Sequence, residues 1–232
     1  MWGVLQMSFM KLPKIILFDL DGVILDTESI YLKLMMEYNK KINLPITKEF
    51  YINNFLGRTK KEINDCYEKK FKEKFDSDKY WNGIIKYRDN YLLHNEIKVK
   101  KEFLNLKKYL KANNFLFGIV TSNSKELTTK LLKKTRLQIN DFEFIVTRDD
   151  VLYTKPKPDL YLKAVDYYKT DKDNFVAIED SNVGIQSALN ANIRVINLKD
   201  IDIIKPDLKR KCLKCVESLN EVIDVLEEMR KL

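Results

Sequence analysis

The stretch Ile15-Ile16-Leu17-Phe18-Asp19-Leu20-Asp21-Gly22-Val23 runs from four consecutive apolar residues directly into two carboxylates separated by one residue. A short continuous apolar run fits a strand buried on both faces, as in a parallel sheet. Ligands of such sheets bind beyond the carboxyl ends of the strands, so the two acids fall where chemistry is expected. Carboxylates this close repel one another and lose hydration on burial, a cost that a cation or a shared proton offsets. Gly22 lets the chain turn sharply there. Taken alone, D-x-D-G also describes an ordinary acidic turn.

Four further runs repeat the pattern: Phe115 to Val120, Phe142 to Val146, Phe175 to Ile178 and Arg194 to Leu198. Helical periodicity fills the gaps, as in Phe103, Leu106 and Leu110, then Leu127, Leu131 and Leu132. The expected fold is doubly wound α/β with a parallel sheet. Between Asp26 and about Glu96 the strand signal stops. Three apolar stripes replace it: Ile30, Leu34, Met35, Tyr38; then Ile63, Cys66, Tyr67, Phe71 behind a Thr59-x-x-Glu62 capping box; then Trp81, Ile84, Ile85, Arg88, Leu92. Such stripes read as core. The expected domains are a catalytic core of residues 1–26 and 97–232 and an inserted helical domain of residues 27–96. Ser218-x-x-Glu221, a second capping box, opens a terminal helix.

The 232 residues are 45% hydrophobic and 33% charged, the balance of a folded globular chain. No apolar run approaches the roughly 20 residues that span a bilayer, so no membrane association is expected. The opening MWGVLQMSFMKL lacks the pattern of a signal peptide, and Met7 or Met10 is an alternative start. Three cysteines are too few for a disulfide scaffold and favour a reducing cytoplasm. Cys212-x-x-Cys215 has neither the context of a redox pair nor a second pair for zinc, and reads as chance spacing in a basic surface segment. The net charge of +8 suits anionic ligands. The densest basic run, Lys209-Arg210-Lys211, has no interleaved aromatic platform, so no nucleic acid is expected as partner.

The other strand ends carry matching chemistry. Thr121-Ser122-Asn123-Ser124 offers a hydroxyl and backbone N–H groups for phosphate, or else a plain helix N-cap. Lys155-Pro156-Lys157-Pro158-Asp159 is a stiffened loop that can hold one ammonium in place. Glu179-Asp180-Ser181, with Gly184 following, supplies hard-cation ligand types. Together, acid-acid, hydroxyl, lysine and acid-acid form an inventory for holding a phosphoryl group beside Mg²⁺.

FDLDGVILDTE, VTSNS, KPKPD and EDSNVG, in this order and spacing, resemble the four motifs of the haloacid dehalogenase superfamily. More narrowly they resemble its phosphatase and β-phosphoglucomutase-like branch, a Rossmann-like core with a helical cap inserted after the first motif. The resemblance implies Asp19 as nucleophile and Asp21 as general acid and base. It implies Thr121 and Lys155 at the phosphoryl oxygens, with Ser122 and Asn123 beside them. Mg²⁺ would be held by Asp19, Glu179, Asp180 and the backbone carbonyl of Asp21. Asn192 stands where relatives have glycine, a departure without catalytic consequence.

Within the cap, Phe55-Leu56-Gly57-Arg58-Thr59-Lys60 resembles the specificity loop, so Gly57, Arg58 and Lys60 are candidate substrate contacts; a helix-ending turn with solvated cations is the plainer reading. Tyr31 stands where mutase-like sequences have histidine, and His94, the only histidine, reads as structural. The expected activity is Mg²⁺-dependent hydrolysis of a small phosphorylated metabolite, with a sugar phosphate leading. A phosphosugar mutase is the alternative within the same chemistry, and a nucleic-acid-binding protein the alternative outside it. A monomer or weak dimer is expected.

Overall fold

A computed structural model describes residues 12–55, 58, 60–135, 137–200 and 202–231, so the leader and the Thr59 capping box lie outside the described residues. Strand β1 (Ile15–Phe18) lies at the centre of a parallel sheet with β2 (Leu116–Val120), β3 (Ile145–Val146), β4 (Phe175–Glu179), β5 (Arg194–Leu198) and β6 (Lys214–Val216). The strand order is β3-β2-β1-β4-β5-β6. Ile15 stands opposite Leu116 on one side and Phe175 on the other. Ile16 and Phe18 enter one apolar cluster, Ile15 and Leu17 the other. Burial on both faces is why the run is continuously apolar.

The run from Phe142 is extended, but only Ile145–Val146 forms regular ladder with β2. Phe142 and Phe144 turn to opposite faces of the sheet. The Phe144 ring packs on Gly118, where an added Cβ would lie 2.5 Å from a ring atom. Strand β6 follows the short helix Pro206–Lys211 and contains the exposed Cys215, so the C-x-x-C joins a helix end to a surface edge strand. Burial pushes the Cys212 thiol up to about 12, which leaves no reactive thiolate. Asn192 adopts the left-handed conformation with φ 58°.

After β1 the chain builds helices α1 (Glu28–Lys41), α2 (Lys48–Asn54), α3 (Lys60–Phe71) and α4 (Ser77–His94) before α5 (Lys101–Ala112) returns to the sheet. The first four bury a cluster of their own, including Leu44, Tyr51, Phe55, Tyr67, Phe75 and Tyr80. Asn39 sits at its centre, accepting from the Tyr67 hydroxyl at 2.6 Å and donating to the Tyr80 oxygen at 3.0 Å. The chain leaves and re-enters the sheet layer along one track, where Asp26 N donates to Lys98 O and Lys100 N to Ile24 O, both at 2.9 Å. Lys134, on helix α6 (Lys125–Lys134), donates to Leu92 O at 3.0 Å and also to Asn95 O.

Helices α7 (Asp159–Tyr168), α8 (Asn182–Asn190), α9 (Pro206–Lys211) and α10 (Leu219–Arg230) complete the two outer layers. Ser218 caps α10 by accepting from Asn220 N at 3.2 Å, and the Glu221 backbone N–H bonds the Ser218 carbonyl. Arg210 of the densest basic run pairs with Asp207 at 2.6 Å. Among the described residues no helix is long and apolar enough to cross a membrane. Gly118→Ala should push the Phe144 ring out of place at a cost of about 1–3 kcal/mol. Thermal unfolding should shift down by about 2–4 °C for each kcal/mol.

Candidate active site

The sheet order reverses direction between β1 and β4, and the candidate residues gather at the carboxyl ends of those strands. The Asp19 backbone N–H donates to Ile178 O at 3.1 Å, which registers the first acid beside the end of β4. On the other side, Thr121 N donates to Val146 O at 2.9 Å. Thr121 is buried and accepts from Asn123 N at 3.1 Å, which folds the end of β2 into a tight turn. Ser122 is exposed at its rim, and Ser124 caps α6 by accepting from Leu127 N.

Asp19, Glu179 and Asp180 each offer a carboxylate oxygen, and these oxygens lie within 4.8 Å of one another. All three residues are nearly or fully buried. Lys155 Nζ lies 2.7 Å from Asp19 Oδ1, 2.6 Å from Glu179 Oε1 and 3.0 Å from Val120 O. An ammonium has three donors, and here each has an acceptor. Burial works against the Lys155 charge, yet the Asp19 and Glu179 carboxylates outweigh it and hold the ammonium above its ordinary range. Burial, with Glu179 and Asp21 adding to it, raises the Asp19 carboxyl to about 7 against the opposing pull of Lys155. An all-oxygen donor set with more negative charge than its one lysine offsets fits a hard divalent cation.

Two further neighbours fix Glu179. The buried Tyr161 hydroxyl donates to Glu179 Oε1 at 2.5 Å. Gly184, in the first turn of α8, leaves the space that the carboxylate fills, since a Cβ there would lie 1.9 Å from Glu179 Oε2. Ser181 caps the same helix by accepting from Gly184 N at 3.1 Å.

Asp21 stands apart from the three-acid cluster, because its side chain is held by protein donors. Asn123 Nδ2 reaches Oδ2 at 2.7 Å, Thr27 Oγ1 reaches Oδ1 at 3.1 Å, and the Tyr31 hydroxyl also donates to Oδ1. Thr27 occupies the N-cap of α1 but does not cap it; its hydroxyl instead links Asp21 to the Gly22 N–H. Gly22 itself has φ 72°, a conformation that glycine adopts without strain. The Arg88 guanidinium lies over the Tyr31 ring at 5.7 Å.

The structure thus brings Asp19, Asp21, Thr121, Asn123, Lys155, Glu179 and Asp180 to one sheet end. It places Asn123 on Asp21 rather than free toward a ligand. Arg58 and Lys60 are exposed on the helical lobe, the first 4.0 Å from Glu62 and the second over the Trp81 ring at 5.5 Å. Gly57 lies outside the described residues. His94 bonds Asn90 O of its own helix. Sequence reasoning missed Thr27, Arg88 and Tyr161 as neighbours of the acids, and noted Tyr31 only as standing where mutase-like sequences have histidine. Tyr31 follows Asp21 by ten residues at the entry to the first inserted helix, and that placement was the available signal.

The family described as haloacid dehalogenase-like hydrolase matches residues 16–198. The chain belongs to that family. A protein provisionally named pyrophosphatase PpaX, from Caldanaerobacter subterraneus subsp. tengcongensis, is 29% identical over 188 residues, covering 79% of this chain and 80% of that relative. A phosphorylated carbohydrates phosphatase from Thermotoga maritima is 24% identical over 193 residues, covering 78% of this chain and 82% of the relative. The crystal structure of a conserved haloacid dehalogenase-like protein of unknown function from Agrobacterium tumefaciens shares the fold with a TM-score of 0.77 at 23% identity, covering 94% of this chain and 99% of that one.

Gly184→Ala should displace the Glu179 carboxylate and weaken divalent-cation binding about 10–100-fold. Titration calorimetry with Mg²⁺ should show the loss while the fold, followed by circular dichroism, is retained.

Proposed function

We propose that the protein is a Mg²⁺-dependent phosphatase that hydrolyses a small phosphate monoester through a phosphorylated Asp19. The observation that carries this reading is the cluster of Asp19, Glu179 and Asp180 at the switch point, with a separate, protein-held carboxylate two residues from Asp19. Mg²⁺ held by Asp19, Glu179, Asp180 and the Asp21 backbone carbonyl would polarise a phosphoryl oxygen and offset its charge. A carboxylate oxygen of Asp19 forms the bond to phosphorus as the bond to the leaving oxygen breaks. Asp21 gives that oxygen a proton, then takes one from the water that attacks phosphorus and releases Asp19 and inorganic phosphate.

Thr121 and the backbone amides of its turn bind phosphoryl oxygens. Lys155 acts by charge from its fixed place between Asp19 and Glu179. The helical lobe of residues 27–96 acts as a cap, and Tyr31 and Thr27 link it to Asp21. The names of the two relatives support different substrates, pyrophosphate and phosphorylated carbohydrates, and both support phosphate release. A mutase would need to shield the phospho-aspartate from water until a sugar hydroxyl attacks. Tyr31 in place of histidine supports hydrolysis instead.

Asp19→Asn should abolish phosphate release from a panel of phosphate esters at saturating Mg²⁺; substantial residual turnover would end the assignment of the nucleophile. Asp21→Asn should slow turnover by about 10²–10⁴-fold. The same variant should still bind Mg²⁺ by calorimetry, and loss of metal binding as its main effect would make the Asp21 side chain a ligand instead.

A further inference from the structure

The stripe Trp81, Ile84, Ile85 and Arg88 on α4 is not wholly consumed by packing within the helical lobe. With Met35 of α1 and Tyr51 of α2 it lines a pocket of about 250 Å³. Tyr31 is one of its lining residues, with a hydroxyl that donates to Asp21 and a ring that lies under Arg88. Tyr31 thus joins the pocket to the carboxylate assigned above to protonate the oxygen that departs from phosphorus.

Apolar side chains make up most of the lining, and several of its polar groups are already engaged. Trp81 Nε1 donates to Asn64 Oδ1 at 2.7 Å, and the Tyr31 hydroxyl is engaged by Asp21. Arg88 points two nitrogens at Asp89 Oδ1, Nε at 2.8 Å and Nη2 at 2.7 Å. A polyol placed here would exchange water for few partners, and a second phosphoryl group would meet one guanidinium already paired with an acid. An apolar ring would gain by burial against Trp81, Ile84 and Ile85. The volume falls below the roughly 300–1,000 Å³ of sites for drug-sized ligands, so the occupant is about one ring in size.

Resting on the phosphatase reading, we infer that the substrate is a phosphate monoester of an apolar alcohol or phenol, whose single uncharged ring lies against Trp81 and Ile85, rather than a hexose phosphate or pyrophosphate. Benzylphosphonate, which cannot be hydrolysed, tests the pocket without turnover. The chain has two tryptophans, Trp2 and Trp81, so a saturable fluorescence change that disappears in Trp81→Phe reports occupancy beside Trp81. Methylphosphonate, with no ring, should give no such change. In steady-state assays of the full chain with Mg²⁺, kcat/KM for phenyl phosphate should exceed that for glucose 6-phosphate and for pyrophosphate by roughly tenfold or more. Ile85→Asp should lower it for phenyl phosphate roughly tenfold more than for methyl phosphate.

Faster turnover of glucose 6-phosphate or pyrophosphate, or equal effects of Ile85→Asp on the phenyl and methyl esters, would overturn the inference while leaving the phosphatase intact. A benzylphosphonate titration that leaves Trp81 fluorescence unchanged would overturn it as well. Ring-dependent binding at Trp81 with no phosphate release from any ester would uphold the pocket and defeat the phosphatase reading.

Discussion

Negative charge crowded at the end of two adjacent strands is the constraint around which the rest is arranged. Asp19, Glu179 and Asp180 converge in a nearly buried space, and Lys155 offsets part of their charge through contacts with two of them. Leaving such acids uncompensated in the interior would cost several kcal/mol per ion. The surrounding sequence answers that constraint residue by residue: a loop brings Lys155 back over the sheet, Tyr161 reaches Glu179 from α7, and Gly184 clears the volume that the carboxylate occupies. The two inner strands are continuously apolar because their side chains face packed helices on both sides, which leaves only their ends for polar chemistry.

Asp21 is organised on a different principle. Its carboxylate is oriented by Asn123 from the sheet layer and by Thr27 and Tyr31 from the start of the helical insertion. The two acids of one short motif thus face different surroundings, one toward a lysine and further acids, the other toward neutral hydrogen-bond donors. Such a division is what a nucleophile and a proton-transfer group require of neighbouring carboxylates.

Most of this was legible in the sequence because it follows from repeating local patterns. Strands β1, β2, β4 and β5 are buried on both faces and announce themselves as apolar runs ahead of acids or hydroxyls. Strand β6 did not, because an edge strand of Lys214, Cys215 and Val216 buries only its last residue. The gathering of Asp19, Glu179 and Asp180 at one sheet end was foreshadowed by residue type and order. Arg88 was hidden inside a helical stripe whose spacing describes a face without saying which part of it packs and which part lines a pocket. The saturation of Lys155 by three acceptors was equally invisible, since Val120 O and Glu179 come to it only through the folded sheet.

The helical insertion departs and returns at neighbouring backbone positions, with Asp26 and Lys98 joined by a hydrogen bond and Lys100 bonded to Ile24. Its two ends therefore occupy one rung of backbone pairing, and the sheet closes beneath it whatever lies between them. None of Asp19, Glu179 and Asp180 lies on the inserted segment, whereas Thr27 and Tyr31, which hold Asp21, do. A different insertion would therefore leave the three acids on their strands but would have to bring its own donors to Asp21.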